Sequence, residues 1–158
     1  MDISFLKYHH WANIKLMDHL GTIPETILNQ EIQSVFPSVM RALQHIYEVD
    51  KTWLHRINQN LPSHNVPLFS SILEGRSSFL KLQQQYQGTL EEELKRNSPI
   101  IYTNSTGTEF MNSLEEIITH IVNHGTYHRG NISAMLRQLD TKSVSTDYIF
   151  YLRESASN

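Results

Sequence analysis

The segment His120–Gly130, with the sequence HIVNHGTYHRG, contains three histidines at a spacing of four residues. Imidazole is the commonest side-chain ligand for transition metals, and its reference pKa of about 6.5 leaves it largely neutral near pH 7. Residues i and i+4 lie on one face of a helix, so adjacent pairs of these histidines can hold one ion. The outer two are about 12 Å apart at about 1.5 Å per residue. A straight helix therefore cannot supply all three ligands, and a ligand from elsewhere is needed.

The apolar stripe of this predicted helix separates the three histidines. At about 100° per residue, the hydrocarbon side chains between Ile118 and Leu139 centre on one direction. His128 lies about 40° from that centre, His124 about 80° and His120 about 120°. His124 and His128 therefore point inward or toward a seam between helices, whereas His120 points closer to solvent.

A structural role competes with metal binding for this pair. A core-facing histidine is usually hydrogen bonded in place. Two buried imidazoles each need partners for both ring nitrogens, however, and every unsatisfied group costs about 1–3 kcal/mol. A shared metal ion meets that need for one nitrogen of each ring. The His-x-x-x-His spacing also arises by chance on polar helices, so the spacing alone leaves both interpretations open.

The third ligand has several candidates. They are His45 on the second predicted helix, His9 on the first, and carboxylates such as Glu48 or Asp50. His45 flanks the apolar stripe of its helix, about 100° from the centre, which is a seam position. His9 lies nearer the centre of its own stripe. Helical phase alone does not choose between the two histidines.

The composition is that of an ordinary globular protein and limits the function classes. With 158 residues, 39% of them hydrophobic and 18% charged, we predict one domain spanning residues 1–158. A net charge of −3 with scattered Lys and Arg argues against nucleic-acid binding. The lack of cysteine excludes disulfides, thiolate metal sites and a cysteine nucleophile. The first residues do not read as a signal peptide, and no apolar run approaches the roughly 18 residues of a membrane span. We therefore expect a cytoplasmic protein without membrane association.

Helical spacing of apolar residues predicts four long helices and a short fifth one. The first predicted long helix is about Ile3–Leu20, and the second is Val39–Ile57 after an N-cap at Ser38. The third and fourth begin at capping-box patterns: one runs from Ser71-x-x-Glu74 toward Leu94, the other from Ser113-x-x-Glu116 to about Leu139. Asp147–Arg153 is apolar enough to pack as the short fifth helix. Four amphipathic helices of this length predict an all-α four-helix bundle.

Two connections between these helices carry no helical pattern. Asn60–Pro67 contains two prolines and is predicted to be a loop. Ile100–Thr103 and Thr108–Met111 flank the turn sequence Asn104–Gly107, which predicts a small hairpin before the fourth long helix. An irregular connector is the alternative for that segment.

Four segments together resemble the DinB family of DinB/YfiT-like metalloproteins. They span nearly the whole chain in the expected order, and the NHxxxHRG element is the most specific of them. The segments are YHHWAN at Tyr8–Asn13, His45-Ile46 with Trp53-Leu54, NHGTYHRG at Asn123–Gly130, and DYIFYLR at Asp147–Arg153.

The resemblance implies an up-down-down-up four-helix bundle with a divalent metal held by three histidines. By position these ligands fall on His45, His124 and His128, which selects His45 over His9. His120 precedes the motif and is not implied as a ligand. Asn131 stands where family members often have glutamine, a departure that affects no ligand.

Three neutral imidazoles leave an ion with an open coordination position, the arrangement of catalytic rather than structural zinc. There, a bound water has its pKa lowered toward about 7, and a thiol binds as thiolate. The resemblance implies metal-dependent hydrolases or thiol-dependent S-transferases and isomerases. Expected cofactors are zinc or nickel first, then iron or manganese. Expected partners are a small-molecule substrate, including a low-molecular-weight thiol, and a second copy in a homodimer.

A non-catalytic function is the alternative, namely a stress-associated bundle in which the ion mainly stabilises the fold. The missing fourth ligand favours the enzyme, because a closed structural site usually has one. The sequence identifies no catalytic side chain. Residues chemically able to assist are Tyr8, Tyr47, Glu48, Asp50, Tyr127 and Arg129, for each of which packing or surface exposure is the favoured interpretation.

Overall fold

The four predicted long helices form, and they are the main elements of the fold. A computed structural model describes residues 4–59, 66–96 and 98–156. Its elements are α1 (Ser4–Leu20), α2 (Glu25–Leu28), α3 (Val39–Ile57), α4 (Ile72–Arg96), β1 (Ile100–Thr103), β2 (Glu109–Asn112), α5 (Leu114–Gln138) and α6 (Tyr148–Ser155). The short α2 was not predicted, because a single turn leaves no periodic pattern. Of the predicted loop, residues 60–65 lie outside the described residues.

Serine caps set the beginnings of the helices that carry the histidines. The Ser38 hydroxyl accepts a backbone N–H at the start of α3. Ser113 and Glu116 form the predicted capping box of α5, with both reciprocal hydrogen bonds present. At α4 only half of the box forms, because the Glu74 carboxylate accepts from Ser70 instead of Ser71. Both histidine-bearing helices thus begin where the sequence predicted.

The segment before α5 is the hairpin, not the irregular connector. Strands β1 and β2 pair antiparallel, with Ile100 opposite Asn112, and β2 begins one residue later than predicted. The Asn104 side chain accepts from two backbone N–H groups of the turn, and Gly107 has a φ of +83°. Glycine adopts this left-handed conformation without strain, which explains the residue at that position.

Contacts between successive helical turns give the directions of the four long helices. α1 and α5 run parallel to each other, α3 and α4 also run parallel, and the two pairs are mutually antiparallel. The contacts are His9–Gly125 and Asn13–Arg129 for α1 with α5, Tyr47–Phe79 and Asp50–Tyr86 for α3 with α4, and His10–Tyr86 and Asp18–Arg76 for α1 with α4. This is the up-down-down-up order, and the all-α bundle expected from the sequence is confirmed.

Two apolar clusters fill the ends of the bundle, with a polar layer between them. On α5 the first cluster ends at Val122 and the second begins at Ile132. The NHxxxHRG segment occupies the interval. On α1 the buried polar residues His9 and Asn13 lie where the first cluster, which extends to Ala12, meets the second, which begins at Leu16. No helix among the described residues is long and apolar enough to cross a membrane.

Buried hydrogen bonds in this polar layer connect α1, α3 and α5. Nε2 of His9 lies 2.7 Å from the Asp50 carboxylate. Arg129 donates to the side-chain oxygen of Asn13 at 2.8 Å and contacts Nδ1 of His9 at 3.3 Å. The four side chains are almost completely inaccessible to solvent. Because a buried charge must be paired and hydrogen bonded, this group fixes the three helices in one relative position.

Gly125 permits the close approach of α5 to this layer. A Cβ atom at position 125 would lie 2.8 Å from Nη1 of Arg129 and still closer to the ring of His9. Both neighbours are buried and held by hydrogen bonds, so neither can withdraw freely. Any residue other than glycine would therefore push apart the helices that carry the histidine pair.

We expect Gly125→Ala to lower the free energy of unfolding by about 1–3 kcal/mol, since the added methyl group overpacks the layer. Urea denaturation of the metal-free protein measures this. Gly130→Ala is the matched control, because it lies in the same helix and an added Cβ there meets nothing within 4 Å. The control is expected to stabilise by up to about 1 kcal/mol through helix propensity. Equal effects of the two substitutions would contradict this account.

Candidate metal centre

Three histidines from two helices converge at one edge of the polar layer. His45 lies on α3, and His124 and His128 lie one turn apart on α5. Each residue offers one ring nitrogen, and these three atoms lie within 4.8 Å of one another. The Nε2 atoms of His45 and His124 are 3.1 Å apart. The antiparallel packing of α3 and α5 thus brings together residues that are about eighty positions apart in the chain.

Aromatic rings border this histidine group. The ring of Phe36 lies 5.0 Å from that of His45 and 5.4 Å from that of His128. Tyr127 packs against His128 at 5.0 Å while 63% of its surface stays exposed. Sequence reasoning missed Phe36, because it lies in an irregular segment before α3 where no periodicity assigns a face.

Electrostatics keeps all three imidazoles neutral in the metal-free protein. The pKa of His124 is lowered to about 3, first by burial and then by Coulombic interaction with the neighbouring histidines, which disfavours a second positive charge in the group. Burial also lowers the pKa of His128 and of His45, although the Glu48 carboxylate opposes the shift at His45. A neutral imidazole is the form that donates a lone pair to a metal ion.

Only part of the group has hydrogen-bond partners on its second ring nitrogen. The side-chain amide of Asn131 lies 3.4 Å from Nδ1 of His128. The nearer amide atom is the nitrogen, which donates to Nδ1; with the amide rotated by 180°, its oxygen instead accepts from Nδ1–H and leaves Nε2 with its lone pair. Nδ1 of His124 is buried and has no hydrogen-bond partner among the described residues.

The other ligand candidates from the sequence lie apart from the histidine group or form hydrogen bonds elsewhere. His9 and Asp50 bind each other in the polar layer. Glu48 accepts a hydrogen bond from the Gln44 amide at 3.0 Å. His120 lies one turn before His124, with ring centroids 6.0 Å apart, and is exposed as predicted. None of these four joins the group of donor atoms that the described residues bring together.

The remaining candidates for an assisting role have packing functions in the structure. The ring of Tyr47 packs against Phe79 at 5.3 Å. The Tyr8 hydroxyl donates to the backbone oxygen of Thr146 at 3.0 Å. Arg129 ties α1 to α5 through the polar layer. Only Tyr127 has its ring both against a histidine of the group and exposed to solvent.

Three convergent neutral imidazoles are compatible with a divalent metal ion. Their donor type suits zinc, nickel and other first-row metals and excludes none of them. In the part of the chain that the structure describes, no carboxylate or fourth imidazole completes the set. The chemistry of the donor set is that of a centre with room for a further ligand.

Comparison with known proteins agrees with the fold and identifies the family. Protein DinB of Bacillus subtilis (strain 168) is 36% identical over 162 residues, which cover 96% of this chain and 94% of that protein. The crystal structure of a DinB-like protein from Bacillus cereus ATCC 10987 superimposes with a TM-score of 0.68 at 19% identity, covering 89% of this chain and 94% of that one. The sequence model of the DinB family matches residues 1–157. The resemblance found in the sequence is confirmed, and the chain belongs to the DinB family.

Proposed function

We propose that this protein is a metal-dependent enzyme, a hydrolase or thiol S-transferase, acting on a small substrate. The proposed ligands are His45, His124 and His128. One observation carries the proposal, namely that the two helices present three neutral imidazoles whose donor nitrogens lie within 4.8 Å of one another. Zinc and nickel are the preferred ions, with iron and manganese also suited to imidazole.

The spacing of the donor atoms supports a metal ion. Two nitrogens bound to one tetrahedral zinc at about 2.0–2.1 Å are about 3.3 Å apart. The Nε2 atoms of His45 and His124 are 3.1 Å apart. Two neutral rings at this distance form one hydrogen bond at most, in which only one of the two Nε2 atoms uses a lone pair. A metal ion gives each ring a use for its lone pair.

The surroundings of the site support catalysis more than a structural role. His45 and His124 are only half-buried, so a substrate can approach them from solvent. When bound, a divalent ion supplies Lewis-acid chemistry, lowering the pKa of a coordinated water or thiol. Phe36 and Tyr127 place aromatic rings beside the group, against which an apolar part of a substrate can pack. Asn131 is placed to hold the ring of His128 in orientation, as groups behind metal ligands usually do.

Three further expectations from the sequence stay predictions. They are the single domain over residues 1–158, the homodimer and the cytoplasmic location. The first is supported by Tyr47, which packs against both apolar clusters and joins them. The proposed metal centre requires none of the three.

Replacing any one proposed ligand by alanine is expected to weaken binding of zinc or nickel by more than about 100-fold, since loss of a group that merely supports a ligand already costs 10–100-fold. Competition with a chromophoric chelator measures this. His120→Ala is the matched control, because it removes an exposed histidine one turn away on the same helix. Retained metal affinity in all three ligand variants would refute the site. An equal loss of metal affinity in His120→Ala would refute the choice of these three histidines as the ligands.

Removal of the metal with a chelator is expected to leave the helical circular dichroism and cooperative unfolding intact, because apolar packing and the polar layer hold the bundle. Turnover of nitrophenyl esters, or conjugation of a small thiol to an aryl halide, should need the metal and disappear in His124→Ala. If metal removal instead unfolds the protein, and the folded holoprotein turns over neither class, the ion is structural and the catalytic proposal is wrong.

The stability of the metal-free protein should fall as the pH drops from about 7.5 to about 5. The neutral form of His124 is favoured in the folded state, where its pKa is about 3. Unfolding restores a pKa of about 6.5 and takes up a proton, so the free energy of unfolding decreases below that pH. Urea denaturation of His124→Gln should show a smaller decrease than the wild type. If the free energy of unfolding depends on pH equally in both proteins, the lowered pKa of His124 is not the cause of the decrease.

A further inference from the structure

The seam between α3 and α5 continues beyond the histidine group toward the hairpin. His120, one turn before His124, packs against Trp53 of α3 with ring centroids 5.1 Å apart. Trp53 in turn contacts Tyr102 of β1 at 5.0 Å, with ring planes at 72°. The indole of Trp53 is 9% exposed and belongs to the core. These rings form a continuous wall from the proposed metal centre to β1.

Arg56 lies in the corner formed by Trp53 and Tyr102. Its guanidinium carbon is 4.5 Å from the centre of the Trp53 ring and 5.1 Å from that of Tyr102. The Tyr102 hydroxyl donates to the side chain of Asn112 at 2.9 Å, so the hairpin holds this ring in place. Two cation–π contacts restrict the guanidinium before any ligand arrives.

No carboxylate of the described residues neutralises this cation. Among the residues that the structure describes, Arg56 takes part in no ion pair, and its buried Nε–H has no acceptor. The pKa of the neighbouring His120 is lowered first by burial and then by the positive charge of Arg56. A partly buried, unpaired guanidinium with a planar set of donors is suited to bind a carboxylate in bidentate geometry.

The position of Arg56 relates it to the proposed metal centre. It follows His45 by eleven residues, which at about 100° per residue returns it to within about 20° of the same helix face. The Cα atoms are about 16 Å apart at about 1.5 Å per residue. Side chains on a helix lean toward its N-terminus, so the guanidinium extends back toward His45 and shortens this gap.

We propose that Arg56 forms an anion subsite that binds a carboxylate of the substrate while the other end of the same molecule reaches the three histidines. The proposal rests on the proposed function, because it assigns the polar end of that substrate. It makes Arg56 a specificity-determining residue and restricts the substrates to small anionic molecules. Trp53 and Tyr102 position the guanidinium, and His120 lines the path between the two ends.

The test uses the cobalt-substituted protein, in which thiolate binding is visible as a charge-transfer absorption band. The probes are mercaptoalkanoates of increasing chain length up to mercaptooctanoate, each compared with the mercaptoalcohol of equal length. We expect the wild type to prefer the best carboxylate over its alcohol by about tenfold or more. Arg56→Gln should reduce that preference to within about twofold without changing affinity for the alcohols.

A matched control and a second measurement separate the two proposals. Arg137→Gln removes the same charge from an exposed position on α5 and should keep the carboxylate preference. In a Trp11→Phe background, fluorescence of Trp53 should respond to octanoate and not to octanol, with or without metal, and only while Arg56 is present. Absence of a carboxylate preference in both measurements overturns the subsite. An intact fluorescence response in a protein that retains no cobalt supports the subsite and refutes the metal centre.

Discussion

The buried polar layer that joins His9, Asp50, Asn13 and Arg129 is the constraint on which the rest of the site depends. It crosses the bundle at one level and connects α1, α3 and α5 by charged hydrogen bonds inside an apolar surrounding. A shift of any of these helices by one turn would leave a charge unpaired, at a cost of several kcal/mol. The layer therefore fixes the axial position of α3 against α5, and with it the distance between His45 and the pair on α5.

The same level of the bundle serves two opposite purposes. On the inner side a guanidinium and a carboxylate are kept together, where burial alone would disfavour both charges. On the outer side burial keeps His124 neutral, with a pKa of about 3, and also lowers the pKa of the two neighbouring rings. Gly125, the residue after His124, lies between the charged network and the histidine group. Because it has no side chain, His9 and Arg129 can pack directly against the backbone of α5 at this position. The charged network thus holds the helices that carry the three neutral histidines, but none of its own side chains joins that group.

Much of this could be predicted from the sequence, because it depends on local periodicity. Apolar spacing and serine caps located the long helices, and helical phase set His120 apart from His124 and His128. Phase could not choose between His9 and His45, since both sit on buried or seam-facing positions, and the family resemblance made that choice. Phe36 and Arg56 were not found, because their roles depend on contacts between distant segments. The tertiary neighbours of Arg56, Tyr102 above all, come from a hairpin whose formation the sequence left open.

The hairpin borders the seam between α3 and α5 at the end opposite the three histidines. It follows α4 and precedes the capping box of α5, so the turn of chain that starts the histidine helix also fixes Tyr102 beside Arg56. The grouping of the three histidines requires only that α3 and α5 pack antiparallel, whereas the aromatic corner requires β1 as well. Two independent structural units therefore define the two ends of one seam. A change in the hairpin can therefore alter the aromatic corner while the three histidines stay in place, so the proposed anion subsite and the proposed metal centre are structurally separable in this fold.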